Sequence, residues 1–426
     1  MKKITPDFFK EYVNTTDMQY NGNDLFSFVR YDTVFEEDKY VSNLWLFDMN
    51  TNTVKEQLTF DDSVGMHQWL DEENIIIATA AMLCSLTATA QDRADRQQLS
   101  DPNSFSMILL GDPQGYVKYD INQPIFELTT AWCADNIDNL NIKAVLCTGD
   151  LVEQNENIVR NRAMLNQTSK QMWEWASHCM KRLDNKVPYI ISTGNHEYGY
   201  VRGDEGFTHF PEYFPFERNS KWADCVVSAF PNREGKVSLE NAAYEFEDKA
   251  WGKMLVIAVE WAPRDEVLNW AKDLADNKYK DHKIMLLLHS FLWERTAERT
   301  ENEDYRINPR NYGQDVWDKL VFPCKNIELV MCGHTGKPGD FEDNVAYRKD
   351  KNSAGKHVHQ MMFNVQTLGG GWEGNGGDGW LRILEFMPDG KTIRVSTYSP
   401  LFGISPATKH LAHRTGECDR FDMVWE

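Results

Sequence analysis

Two patterns of apolar positions divide the chain. Through residue 78 the apolar residues come in short alternating runs, LFSFVRYD, SNLWLFDMN, TVKEQLTF and HQWLDEENIII, parted by Asn, Asp and Thr turns. That spacing predicts an antiparallel meander. From Phe105 the runs become continuous: FSMILLGD, KAVLCTGD, VPYIISTGN, KMLVIAVE, KIMLLLHS and IELVMCGH alternate with stretches of helical spacing. Such runs predict β-α-β layering around a mostly buried sheet. Between Arg264 and Asp276 the apolar residues Val267, Leu268, Ala271, Leu274 and Ala275 make one stripe, leaving Asp265, Glu266, Lys272 and Asp273 for water. A second helix begins near Pro124 and places Ile125, Leu128 and Trp132 on one side. The end of the chain reverts to strands, HVHQMMFNVQ, WLRILEF and TIRVSTYS, with a Pro-Asp-Gly hairpin turn at 388–390. The patterning divides the chain into a β-rich segment 1–78, a linker 79–104, an α/β domain 105–400 and a tail 401–426.

Charge narrows the function. The 426 residues carry 65 acidic and 45 basic side chains, a net charge of −20. An acidic surface without a Lys/Arg stripe excludes sequence-independent nucleic-acid binding and is repelled by anionic lipid. A polyanionic substrate would therefore need a metal to mediate. The eight cysteines include no CxxC pair, which removes zinc-ribbon and thioredoxin-like chemistry. Cys147 and Cys332 sit inside apolar runs and read as buried free thiols. One segment, Ile75–Gln91, IIIATAAMLCSLTATAQ, looks like a secretory apolar core with its cleavage site and suggests a periplasmic or exported origin. It is internal, however, and Asp71, Glu72 and Glu73 stand where a signal carries positive charge, while Met1–Lys10 has no signal character. Its length, about 16 apolar-to-small residues, falls short of the roughly 20 a membrane span needs. A buried strand or helix followed by a polar linker is the plainer reading.

The chemistry gathers at strand ends. Five of the six apolar runs finish in polar clusters: Gly111-Asp112-Pro113-Gln114, Gly149-Asp150, Gly194-Asn195-His196-Glu197, His289-Ser290 and Gly333-His334. In α/β sheets the carboxyl ends of strands converge on one crevice, so these five can meet. Carboxylates, an amide and imidazoles form the mixed O/N set that binds Mn, Fe or Zn. Taken singly, each has a structural explanation, since a strand-end Gly-Asp is commonly a turn and His289 could be a core histidine. Their number and order point elsewhere.

That order resembles the calcineurin-like metallophosphoesterases, whose pattern runs D-x-H, G-D-x-x-D, G-N-H-[DE], a lone His after an apolar strand, and G-H-x-H. The likeness covers about residues 105–400, and GNGGDGWLRILEF and IRVSTYSP look like a bacterial branch. It implies an α/β fold, a layered β-sandwich flanked by helices, with residues 1–78 as a small all-β appendage. The implied activity is metal-dependent hydrolysis of a small phosphoester by water, with two divalent ions (Mn, Fe, Zn or Mg) about 3.5 to 4 Å apart. Asp150 corresponds to the carboxylate bridging both ions, and Asn195, His289 and His334 complete the second ion's set. The first ion keeps Asp112, but Gln114 and Gly336 stand where the family has histidines, and Glu153 replaces the second Asp of G-D-x-x-D. Because Gln114 offers one neutral oxygen and Gly336 no side chain, the first site is expected to be weak and to favour Mg or Mn over Zn, or to recruit a ligand from elsewhere in the chain.

In the same plan His196 does not ligate; it protonates the leaving oxygen or stabilises phosphoryl charge, and Glu197 orients it. His357 and His359, and Asn364 and Gln366, alternate along the following strand, so either pair could face the crevice; a histidine on an exposed strand is the commoner case, and they stay outside the ligand set. The alternative is a metal-binding protein without turnover, disarmed at its first site; the intact His196 argues against it. Residues 368–380, LGGGWEGNGGDGW, read as a lip over the site or a tight structural loop. Finally, Trp45–Asp48, Thr53–Thr59 and His67-Gln-Trp-Leu resemble one propeller blade of prolyl-oligopeptidase-like serine peptidases. One blade cannot close a propeller, and no G-x-S-x-G elbow occurs in the chain.

Overall fold

The computed structural model describes residues 15–20, 25–34, 39–48, 50–51, 53–58, 64–69, 75–79, 97–156, 165–199 and 205–426. These fall in two compact units, Met1–Arg96 and Gln97–Glu426.

In the first unit, β1 (Thr15–Tyr20), β2 (Leu25–Val34), β3 (Lys39–Asp48) and β4 (Thr53–Gln57) form an antiparallel sheet in chain order. Phe28, Val29, Leu44, Leu46 and Phe47 are buried. β5 (Val64–Trp69) pairs with β6 (Ile75–Thr79) as a two-stranded hairpin. The signal-like segment thus begins as a strand, and its remainder, with Cys84, lies outside the described residues.

The second unit is a two-sheet sandwich. One sheet centres on three parallel strands, β7 (Phe105–Leu110), β8 (Ile142–Cys147) and β9 (Tyr189–Ile191). The other takes β10 (Val226–Pro231), β11 (Val237–Asp248), β12 (Gly252–Ala258), β13 (Lys283–Leu287), β14 (Ile327–Cys332), β15 (Val345–Lys351) and β16 (His357–Phe363) in the order β10-β11-β12-β13-β14-β16-β15. Within it β12, β13, β14 and β16 run parallel. Alternate residues of these strands face two cores. Met285, Leu287, Leu329 and Met331 meet Met107, Leu109 and Val145 of the first sheet, whereas Ile284, Leu286, Val330 and Cys332 pack with Val267, Leu268 and Ala271. Burial on both faces is why the runs carry no polar alternation. Cys147 and Cys332 are fully buried free thiols.

Helix α1 (Gln114–Val117) follows β7 and is trailed by α2 (Gln123–Asp135), with Pro124 in its first turn. The buried face of α2 carries Phe126, Thr129, Thr130 and Cys133; Ile125 and Trp132 lie beside it, half-buried, so the predicted face is rotated by about one residue. Helix α3 (Ser169–Met180) opens with a Thr168/Gln171 capping box. Helix α4 (Asp265–Asp273) carries the predicted stripe and relaxes into a wider turn over Leu274–Lys278. β17 (Leu381–Phe386) pairs antiparallel with β7 and, through the 388–390 turn, with β18 (Thr392–Tyr398). Residues 401–426 are not a tail. β19 (His413–Arg414) and β20 (Phe421–Val424) add to β18, and Met423 and Trp425 are buried, because β18 would otherwise end the sheet with an unpaired edge. Among the described residues no helix is long and apolar enough to cross a membrane.

Candidate metal centre and active site

The loops after β7, β8, β9, β13 and β14 meet in one place, and close approach dictates their residues. At Gly149 the backbone has φ +110°, and a Cβ there would lie 2.8 Å from the Gly194 amide nitrogen and 2.9 Å from His289 Nδ1. At Gly194 a Cβ would fall 2.1 Å from Asp150 Oδ1. Asp150 and His334 themselves adopt left-handed backbone, φ 50° and 72°, which surrounding contacts must hold in place. The His196 amide donates to Asp150 Oδ1 at 3.1 Å, and the His334 amide donates to Asp112 Oδ2 at 2.8 Å.

Four electron-rich atoms converge here. His289 Nδ1 donates to the Thr148 carbonyl at 2.7 Å, so its Nε2 faces inward. That nitrogen lies 3.1 Å from Asn195 Oδ1, 3.1 Å from Asp150 Oδ2 and 3.1 Å from His334 Nδ1. Asp150, His289 and His334 each offer a ligand atom within 4.8 Å of the others. Two imidazole nitrogens and two oxygens with so few protons among them suit a divalent cation of the Mn, Fe or Zn type. The ionisation of the cluster says the same. Burial works against the charge of His289, yet Asp150 and Asp112 outweigh it and raise the imidazole to about 10. Burial likewise opposes ionisation of Asp150, but His289 and His196 hold its carboxyl well below the usual range. The cluster therefore draws in positive charge, a proton when no cation is bound. The buried Trp261 ring packs 5.5 Å from His289 and 5.1 Å from His334 and walls the histidines from water.

The first metal position is poorer. Both Asp112 oxygens already accept hydrogen bonds, from Thr148 Oγ1 at 2.6 Å and from the His334 amide. Burial raises the Asp112 carboxyl to about 6. Gln114 turns its Nε2 onto Asp150 Oδ2 at 3.0 Å, and its Oε1 is buried without a hydrogen bond. At Gly336 a Cβ would meet Asn344 Oδ1 at 2.9 Å, so the place of the family's second histidine is narrowed by a neighbour.

His196 donates from Nδ1 to the Glu153 carbonyl at 2.6 Å, which leaves Nε2 4.0 Å from Asp150 Oδ2. Burial opposes its charge, but Asp150, Glu153 and Glu197 outweigh it and hold His196 above the ordinary imidazole value. Glu197 does not orient this ring. Its carboxylate accepts the amides of Gly194 at 2.6 Å, Asp150 at 2.9 Å and Val152 at 3.2 Å, tying the loops after β8 and β9 together. Three backbone donors in a buried loop need an acceptor, and Glu197 is the one within reach.

A cavity of about 560 Å³ opens above the cluster, with Gln114, Asp150, His196 and His334 in its wall. Several of its residues escaped the sequence reading. Glu303, 99% buried from solvent at its side chain, places Oε2 2.7 Å from His334 Nε2 and accepts from Ser290 Oγ. Burial would raise its carboxyl, yet His334 and Ser290 bring it below the usual value. Lys118, Trp293, Glu294 and Tyr305 also line the cavity. Of the 368–380 loop, Trp372 and Glu373 reach the cavity, while Asn375 Nδ2 donates to Asp378 Oδ1 and makes a tight turn. Gln366 joins the wall, and Asn364 donates to the His334 carbonyl at 2.9 Å. His359 lies elsewhere, between the Tyr347 hydroxyl and the Val424 carbonyl, and His357 pairs with Glu426.

A two-sheet α/β sandwich with a mixed carboxylate, amide and imidazole cluster at its strand ends is the architecture of a metal-dependent phosphoesterase. Residues 105–338 match the calcineurin-like phosphoesterase family, more than half of the chain, and the protein belongs to that family. It is 27% identical over 302 residues to the uncharacterized protein YvnB of Bacillus subtilis (strain 168), covering 70% of this chain and 20% of YvnB. The chain thus spans about a fifth of that relative's length. Among solved structures, GAP50, the anchor in the inner membrane complex of Plasmodium, aligns over 76% of this chain and 89% of its own with a TM-score of 0.33 and 9% identity.

Proposed function

We propose that this protein hydrolyses a small phosphoester at a centre that holds one divalent cation tightly through Asp150, Asn195, His289 and His334. The observation that carries the reading is the 3.1 Å convergence of Asn195, Asp150 and His334 on His289 Nε2. A cation bound there supplies positive charge to phosphoryl oxygens and acidifies a water molecule. The chain's own residues do the rest. Asp150 and His289 share the buried charge, Trp261 excludes bulk water, and Glu197 fixes the loop that carries Asp150. His196, charged by its acidic neighbours and anchored through Nδ1, presents Nε2–H to the leaving oxygen as general acid. Asp112, Gln114 and Asp150 leave at most a second, weaker position suited to Mg or Mn.

The Gln114 and Gly336 departures favour a second reading, a metal-binding protein without turnover. Metal analysis of the purified protein, followed by a panel of phosphate mono- and diesters, separates the two. Hydrolysis should be abolished by chelation and restored by Mn. Activity that survives thorough chelation overturns the proposal, and tight Mn binding without turnover on any ester supports the second reading.

A further inference from the structure

The cavity contains a cation of its own. Lys118 caps α1, its amide donating to the Gln114 carbonyl at 3.0 Å, and the four-residue spacing puts both side chains on the same side of that turn. Both line the cavity, with Asp150, Glu153 and His196. The Lys118 side chain is only 7% exposed. Its nearest carboxylate oxygen, Glu153 Oε2, is 3.7 Å away, beyond hydrogen-bond distance, and the Tyr119 ring centroid is 5.6 Å away. Among the described residues Nζ has no hydrogen-bond acceptor. Among these residues the ammonium is ion-paired with Glu153 alone, and it carries three donors, which an anion or water entering the cavity can take up.

Lys118 shares the α1 turn with Gln114 and the cavity wall with Gln114 and Gly336, the two positions where the family's histidines are missing: Gln114 presents an amide to Asp150, and Gly336 presents nothing. We propose that Lys118 takes over the first cation's task of holding phosphoryl oxygens in the cavity that it shares with Asp150 and His334. The site then works with one tightly held metal and one lysine, and Glu153, 3.7 Å from the ammonium, keeps the Lys118 chain directed into the cavity. The ligand class is a phosphoryl dianion or the phosphate product. The idea rests on the phosphoesterase reading above, but its consequence for anion binding is separate from turnover.

The test uses inorganic phosphate, titrated calorimetrically into the Mn-loaded full chain and into Lys118→Met, Lys118→Gln and Lys118→Arg, with Mn stoichiometry and thermal melting measured on each. Loss of one charge-assisted contact should weaken phosphate binding roughly 10- to 100-fold in the Met and Gln variants, with Arg recovering most of it. The Mn affinity should stay within about twofold of the parent, since Lys118 is not a ligand. Phosphate binding that is unchanged in a folded Met or Gln variant overturns the proposal, and so does a parent protein with two equally tight Mn ions. If the parent hydrolyses no ester and phosphate binding still depends on Lys118, the hydrolysis reading falls and the anion site stands. If it hydrolyses esters and phosphate binding ignores Lys118, the reverse holds.

Discussion

Glu303→Gln is the perturbation that best separates a metal centre from a merely packed polar cluster. The carboxylate oxygen 2.7 Å from His334 Nε2 keeps the proton on that nitrogen and leaves Nδ1, 3.1 Å from His289 Nε2, free to face the cluster. Replacing it with an amide preserves volume but removes the charge and leaves a single oxygen to serve either Ser290 Oγ or His334 Nε2. Glu303 Oε2 is ion-paired with His334 and has no aligned hydrogen bond, so the contact is worth at most the about 1.5 to 3 kcal/mol of a charge-assisted hydrogen bond, against about 0.5 to 1.5 kcal/mol for a neutral one. If the amide turns its nitrogen toward His334, a donor meets a donor and the whole contact is lost. The difference in metal binding is then about 1 to 3 kcal/mol, or roughly 5- to 150-fold in Kd. Loss of an outer partner of a ligating histidine typically costs about 10- to 100-fold, in the same range.

Calorimetric titration of Mn into the parent and Glu303→Gln proteins, with circular dichroism as the folding check, gives the comparison directly. Glu303→Asp, which keeps the charge on a shorter arm, should fall between them. The acid side adds a second handle. Because the folded-state value of Glu303 is depressed, the stability it contributes is present above the unfolded carboxyl value and is lost as pH falls through the folded one. The Gln variant lacks that loss. A Mn affinity within about twofold of the parent in a folded Glu303→Gln protein would refute the reasoning and leave Glu303 as a packing residue.

Other residues give sharper tests of single steps. His196→Ala should keep metal while losing about 10² to 10⁴ in rate on an alkyl phosphate and much less on a nitrophenyl ester, whose leaving group needs no proton; equal losses on both would leave only charge stabilisation. Gln114→His should move Mn stoichiometry from one tight ion toward two, and an unchanged titration would show that Gly336 and Asn344 close that position. Glu240, buried among Tyr198, Asn232 and Ser238, is pushed up by burial from 4.5 to about 7, so the folded chain holds a proton the unfolded chain has released. Stability should fall by roughly 3 kcal/mol between those two pH values and level off above, and Glu240→Gln should erase that slope in urea unfolding at pH 5 and 8; parallel behaviour of the two proteins counts against it. A chain starting at Gln97 should fold, bind Mn and turn over as the full chain does, since every cavity residue named above lies beyond that point; a folded truncation with a large loss would show that the first unit shapes the site.

The strands were legible because burial on both faces leaves no room for polar alternation, and runs such as KIMLLLHS advertise that directly. The tail was not. HLAHRTGECDRFDMVW has neither period, and only the open edge of β18, a feature of the folded sheet, explains why Phe421–Val424 becomes a strand. The predicted face of α2 slipped for a related reason. Thr129 and Thr130 are buried there, their hydroxyls donating to the Ile125 and Phe126 carbonyls, so polar side chains satisfied inside the helix displaced Leu128 from the inner face.

At the site, residues that end strands were easy to find and residues that close over them were not. Asp150, Asn195, His289 and His334 follow apolar runs, so position drew attention to them and their order, which resembles the family's, nominated them. Glu303 sits in ERTAERTENEDYR, one of several carboxylates in a polar stretch with no period to show which turns inward. Lys118 had a weak signal, four residues after Gln114, but α1 spans a single turn and the surrounding sequence gives no amphipathic stripe. Glu197 was found and given the wrong task. Adjacency to His196 suggested an orienting partner, yet three buried amides claim its carboxylate, and backbone donors in a loop without secondary structure leave no trace in a sequence. The glycines teach the same point. Gly149 and Gly194 read as turn residues, but a Cβ at either would strike a chemical group of the cluster, so what their smallness secures is the approach of Asp150 to its histidines.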